Sequence, residues 1–224
     1  MGIMPISDWR TPASRIPEQS VSSCHVVKKI IKEGDALPMA GVFGYDQALF
    51  AEDTTITVLR CGEREAMDER SVWMSDSPQE LYSMWELVAR SEGPRVLVGG
   101  LGLGLLPNLL ALRRDVNEVV VVENNPSIIS MIRPHLNKKV KVIEGDFLEQ
   151  MRELGRRGER FETVVSDIYK TPKSEEDRAL FKDVQMGMED DFIDARHLHW
   201  GFQKELDENN AKTILILKEV GGRK

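Results

Sequence analysis

RVLVGGLGLGLLPNLLALRRDVNEVVVVENN, residues 95–125, decides how the rest of the chain is read. An apolar run from Arg95 ends in three alternating glycines, Gly100, Gly102 and Gly104. A second apolar run ends in Glu123. Glycine permits a sharp turn from strand to helix and lets a ligand approach bare backbone. Pro107 is tolerated in the first helical turn, where backbone N–H groups have no partner within the helix. The dinucleotide fingerprint GxGxxG fails in both registers, because Leu105 or Pro107 stands where the third glycine belongs, and there is no GK[ST] of a Walker loop.

Working outward, the same alternation continues. Strand RVLVGG precedes helix LLPNLLALRR, and EVVVVE precedes PSIISMIRPHL. VKVIEG then precedes FLEQMREL, and FETVVSD follows. Strands of nearly continuous Val and Ile, separated by single helices, predict a parallel sheet covered on both faces. The fold class is α/β: a Rossmann-like, doubly wound, mostly parallel sheet with a small N-terminal β subdomain.

Three segments follow from the pattern. Residues 1–20 hold three prolines and no periodicity, which predicts an extended or disordered arm. Trp9 and Ile16 make a lid over a pocket the alternative there. Residues 21–75 contain SCHVVKKII, GVFGYDQALF, TITVLRC and SVWMSD, β-rich runs that predict a small antiparallel subdomain. Residues 76–224 form the Rossmann-like domain. It opens on a helix capped by Ser77, with Pro78 at its first position and Glu80 completing a capping box. After Asp167 the pattern is mainly helical up to a last strand at KTILILKEV, with a further strand near HLHWGF as an alternative.

The composition is 41% hydrophobic and 30% charged, an ordinary globular mixture, and the net charge is −7. That charge argues against phosphate-backbone binding, so no nucleic-acid partner is expected. No apolar run reaches the roughly 20 residues of a membrane span, so no membrane partner is expected. Cys24 and Cys61 show no spacing of a disulfide framework or zinc site and read as small buried apolar residues. With no signal peptide recognised, the expected compartment is the cytoplasm.

In a doubly wound sheet the ligand crevice lies beyond the carboxyl ends of the strands. Gly100–Gly104, Glu123, Asp146 and Asp167 fall at four successive strand ends. Glu123, with Asn124 beside it, suits two ribose hydroxyls. Asp146 suits an adenine amine, with Phe147 lining the ring, and equally suits an N-cap. Asp167 and Tyr169 are the candidate catalytic residues. Asp167 serves as base, and Tyr169 and Lys170 orient the acceptor. His197 and His199 do not share a helix face, so no metal site is predicted. Trp73 and Trp85 read as packing residues.

The runs RVLVGGLGLGLLPNLLAL, EVVVVENNPSIISMIRPHL, VKVIEGDFLEQM and FETVVSDIY resemble class I S-adenosylmethionine-dependent methyltransferases, most of all the spermidine synthase branch. The likeness covers roughly residues 72–170. It implies that the glycine loop cradles the methionine part of the cofactor, that Glu123 holds the ribose and that Asp146 reads adenine. The cofactor is then S-adenosylmethionine or its decarboxylated form. Two positions depart from the polyamine synthase pattern. Leu103 replaces the aspartate of GGxDGG, and Lys170 replaces the second member of D-x-x-D. A polyamine would therefore meet an ammonium where it expects a carboxylate. The expected function is methyl transfer to a small-molecule acceptor. The alternatives are aminopropyl transfer or other sulfonium chemistry releasing methylthioadenosine, and a non-catalytic nucleoside binder. A C-terminal hairpin of that branch is not evident, and the N-terminal β region or a homodimer partner would cover the sheet edge this leaves.

Overall fold

A computed structural model describes residues 2–39, 44–62, 71–170, 174–203 and 207. The expected strand KTILILKEV lies outside the described residues. In chain order the strands are β1 (Gly2–Ile6), β2 (Gln19–Val21), β3 (Cys24–Ile31), β4 (Ala36–Pro38), β5 (Tyr45–Phe50), β6 (Thr54–Cys61) and β7 (Val72–Ser75). The alternating part follows as α1 (Pro78–Arg90), β8 (Arg95–Gly99), α2 (Leu105–Leu112), β9 (Glu118–Glu123) and α3 (Pro126–Ile132). It continues through β10 (Val140–Glu144), α4 (Phe147–Arg156), β11 (Thr163–Ser166), α5 (Glu175–Asp191) and β12 (Arg196–His199).

Strands β8–β12 form one five-stranded sheet in the order β10-β9-β8-β11-β12, with every pairing parallel. This is a doubly wound, Rossmann-like arrangement. The order reverses between β8 and β11, which makes the topological switch point where such sheets open a crevice. Period-two alternation sends neighbouring residues to opposite faces. Val96, Val98, Val119 and Val121 pack with α1, α2 and α3. Leu97, Val120, Val122 and Val164 pack with α4 and α5. With both faces buried, the inner strands β8, β9 and β11 are apolar along most of their length, which is why their runs are rich in Val.

The N-terminal strands form two small sheets. One is the antiparallel β2-β3-β6-β7. The other, β1-β5-β4, is mixed, because β1 pairs with β5 in parallel. Ala13, Ile16, Cys24, Val26 and Leu59 from this region join the core around α2 and α3. A second layer over α2 explains a helix buried from Leu105 through Ala111 rather than along one stripe.

Three expectations are corrected. Residues 2–21 are ordered: Thr11 and Ser14 cap a 3-10 turn at Pro12–Arg15, and Thr11 Oγ1 donates to Asp76 Oδ2 at 2.5 Å. Ile16 is buried in the core, and the Trp9 indole donates to the Asp76 carbonyl. The segment is therefore held down by packing that its proline content does not reveal. The strand near HLHWGF is real, as β12, within a stretch read as mainly helical. Cys24 and Cys61 are disulfide-bonded, facing each other across the β3–β6 ladder. Antiparallel register joins residues 37 apart, a relation that no local spacing encodes. A disulfide also means that a reducing compartment does not follow from the cysteine count. No helix among the described residues is long and apolar enough to cross a membrane.

Candidate active site

A cavity of about 230 Å³ opens at the carboxyl ends of β8, β9 and β11. Gly100, Gly102, Glu123, Asn124, Asp146, Phe147, Asp167 and Tyr169 all line it. Of the site residues expected from sequence, Gly104 alone is absent from the lining. It is the N-cap of α2, with Leu136 packed against its Cα.

The glycine loop is held from two sides. Gly100 has φ +93° and Gly102 has φ +49°, conformations that side chains other than glycine rarely adopt. A Cβ on Gly100 would lie 2.2 Å from the Asp167 carbonyl, and one on Gly102 would lie 2.1 Å from Met74 Sδ. The loop therefore fits against the strand end carrying Asp167 and against a methionine of β7. The Leu103 N–H also donates to Met74 Sδ, at 2.9 Å.

Glu123 is almost fully buried, and both its oxygens serve the backbone. Oε2 accepts the Leu101 N–H at 2.9 Å, and Oε1 accepts the Asn125 N–H at 2.8 Å. A carboxylate offers about four lone-pair sites, so acceptor capacity remains on the cavity side. Asp146 is an N-cap, its Oδ1 accepting the Glu149 N–H at 3.0 Å, and it lines the cavity as well. The two readings of Asp146 are compatible, since Oδ2 has no partner among the described residues.

Asn125 ties the region together. Its Oδ1 accepts from the N–H groups of Ser127 and Ile128 to cap α3, and its Nδ2 donates to Cys24 Sγ. Replacing Asn125 by alanine is expected to cost about 1 kcal/mol, as for a lost N-cap. Calorimetry should register this as a fall of a few degrees in Tm, and an unchanged Tm would refute it.

The most informative pair is one the sequence reading divided. Glu80 does not complete a capping box: Ser77 makes no side-chain cap hydrogen bond, and Glu80 lines the cavity instead. Asp167 faces the same space. Neither carboxylate has a hydrogen-bond or ion-pair partner among the described residues, and both are half-buried. Burial pushes the Asp167 carboxyl up to about 7. Burial first, and the charge of Asp167 second, push Glu80 up to about 8. Two such groups titrate as a coupled pair, so near neutral pH they hold about one proton between them.

Tyr169 lines the cavity with its ring, while its hydroxyl points into a buried network. Burial raises its pKa. Ser166 Oγ lies 2.8 Å from the Tyr169 hydroxyl and 2.7 Å from His199 Nδ1, and His199 Nε2 lies 2.6 Å from Gln185 Oε1. Burial lowers the His199 pKa to about 3, which keeps the ring neutral. With Nε2–H donating to Gln185, Nδ1 accepts from Ser166. This network supports the cavity wall and fixes the Tyr169 ring against Phe202. His197 turns away, its Nε2 within 2.8 Å of the Phe192 carbonyl. Among the described residues no three potential metal ligands converge.

Trp73, read from sequence as packing, is half-exposed and lines the cavity, with the Lys170 ammonium 5.4 Å from its ring centre. Trp85 stays on the surface. Trp9 and Ile16 do not line the cavity.

No family model and no curated protein sequence matches this chain. Solved structures do resemble it. A precorrin-8W decarboxylase from Methanobacterium thermoautotrophicum is 17% identical, with a TM-score of 0.41 over 65% of this chain and 72% of its own. A spermidine synthase in complex with the transition-state analogue AdoDATO is 15% identical, with a TM-score of 0.42 over 62% of this chain and 51% of its own. A proposed RNA methyltransferase from Pyrococcus horikoshii is 21% identical, with a TM-score of 0.35 over 47% of this chain and 52% of its own. The chain thus spans about half the length of the last two proteins. These are likenesses of fold alone.

Proposed function

We propose that this protein is an S-adenosylmethionine-dependent transferase that methylates a small molecule. The observation carrying this reading is the meeting of Gly100, Gly102, Glu123, Asp146 and Asp167 at one cavity on the topological switch point. Their donor and acceptor types fit an adenosyl sulfonium. Glu123 has capacity left for the two ribose hydroxyls, and the free oxygen of Asp146 suits an exocyclic amine. The Phe147 ring supplies an apolar surface for the base. The half-buried carboxylates of Glu80 and Asp167 favour a positive centre nearby.

When bound, the cofactor supplies an electrophilic methyl carbon, and the C–S electron pair leaves with sulfur as a neutral thioether. The chain's part is alignment, exclusion of water and removal of a proton. Asp167, ionised first of the pair, takes the proton from the acceptor N–H or O–H. Glu80, holding its proton longer, donates a hydrogen bond to the same acceptor. Tyr169, its hydroxyl committed to Ser166, shapes the wall and transfers nothing.

A second reading, aminopropyl transfer, draws support from Glu80, which brings a second carboxylate near Asp167. Incubation with S-adenosylmethionine, or its decarboxylated form, and an acceptor pool separates the readings by the mass of the sulfur product. S-adenosylhomocysteine is expected. Methylthioadenosine would move the assignment to the second reading. Unconsumed nucleoside, bound but intact, would make the protein a binder.

A further inference from the structure

Charge of both signs faces the acceptor end of the cavity. Glu80 and Asp167 are recessed and lack partners, whereas Lys170 is exposed at the rim, its ammonium over the half-exposed ring of Trp73. Lys170 has no carboxylate within salt-bridge reach among the described residues. It stands three residues beyond Asp167 on the same loop, whereas the nucleoside-facing groups come from the ends of β8, β9 and β10. Apolar side chains, including Leu59, Ile168 and Leu180, line the same cavity. The lining thus reads as an acidic floor, an apolar wall and a cationic rim.

We propose that the acceptor is a small zwitterion, with its amine directed toward Glu80 and Asp167 and its anionic end held at the rim by Lys170 beside Trp73. This deepens the transferase reading and rests on it for the identity of the reaction. A diamine of the same length would satisfy the floor and place its second ammonium against Lys170. A dianion would satisfy the rim and place a carboxylate against the floor. Only opposite ends match both. A carboxylate and a phosphate share the chemistry that Lys170 recognises.

The test uses the full chain and calorimetry with four probes of similar length, 1,4-diaminobutane, 4-aminobutanoate, 3-aminopropylphosphonate and succinate, with and without saturating S-adenosylhomocysteine. One or both zwitterions should bind at least about tenfold tighter than the diamine and the dianion. The better of the two identifies the anionic group. Lys170→Asp should reverse the order of 4-aminobutanoate and 1,4-diaminobutane, with circular dichroism and a thermal melt checking the fold. Equal or tighter binding of the diamine to the wild type overturns the proposal, as does an order unchanged in Lys170→Asp, or no binding of either zwitterion. If Lys170→Asp weakens S-adenosylhomocysteine but not methylthioadenosine, the lysine serves the nucleoside's own carboxylate, and the proposal also falls. Failure of S-adenosylhomocysteine to bind, with the zwitterion preference intact, would sink the transferase reading alone.

Discussion

Asp167→Asn should turn over substrate about 10²–10⁴-fold more slowly than the wild type, the usual range for a lost general base, while binding S-adenosylhomocysteine nearly as tightly. Asparagine keeps the shape and the backbone contacts of the strand end, so the Gly100 turn packed on the Asp167 carbonyl is undisturbed. Only the proton acceptor is removed. The wild-type rate should climb with pH through about 7, because burial raises the Asp167 carboxyl to that value and the ionised form is the active one. That ascending limb should vanish in the variant. Glu80→Gln should leave that limb near pH 7, because Glu80 is still neutral while Asp167 ionises and burial alone raises the Asp167 carboxyl. Stability should move the other way. A carboxyl whose folded pKa is raised is penalised once the pH exceeds its unfolded value. The penalty therefore opens from about pH 4, grows through 7, and is constant above. Asp167→Asn lacks it, so the unliganded variant should melt higher than the wild type at pH 8 and converge with it near pH 4. The gap is bounded by about 1.4 kcal/mol per unit of pKa displacement. Turnover equal to the wild type would remove Asp167 from the chemistry. Equal melting temperatures at pH 8 would show that water screens it fully.

The residues that sequence made legible are those whose role is local. EVVVVE, apolar at its four inner positions, already states that both faces of β9 are covered, and its terminal glutamate marks the strand end. The glycine turn and the helix starting after Asp146 are both relations across a few residues. The role of Glu80 escapes a local reading for a related reason. A glutamate three places after Ser77 satisfies a capping rule, and only the tertiary position of α1 shows that its carboxylate shares a cavity with Asp167. Cys24 and Cys61, and Trp73 and Lys170, meet through strand register and domain contact, across 37 residues in the first case. The N-terminal segment looked unstructured because its proline-rich composition hides two buried anchors, Ala13 and Ile16. Composition averages over such anchors, and packing depends on them singly.

Glu123→Gln should weaken binding of the nucleoside by about 1–3 kcal/mol, the range for a lost charge-assisted hydrogen bond, or roughly 5–150-fold in Kd. The difficulty is that Glu123 has two duties. Its oxygens accept the Leu101 and Asn125 N–H groups, so an amide there sets a donor against a donor and disturbs the glycine loop directly. Weaker binding alone would not separate a lost ribose contact from a displaced loop. A cycle with the ligand does. The wild type should prefer adenosine to 2′,3′-dideoxyadenosine, because the second lacks the hydroxyls that Glu123 accepts. If Glu123 contacts the ribose, the variant binds both nucleosides with nearly equal, reduced affinity, since the hydroxyls no longer meet a carboxylate. If it acts only by holding the loop, both affinities fall by the same factor and the preference survives. Survival of the preference would move Glu123 from the ligand to the scaffold, and with it the strongest residue-level reason for placing a ribose at the end of β9.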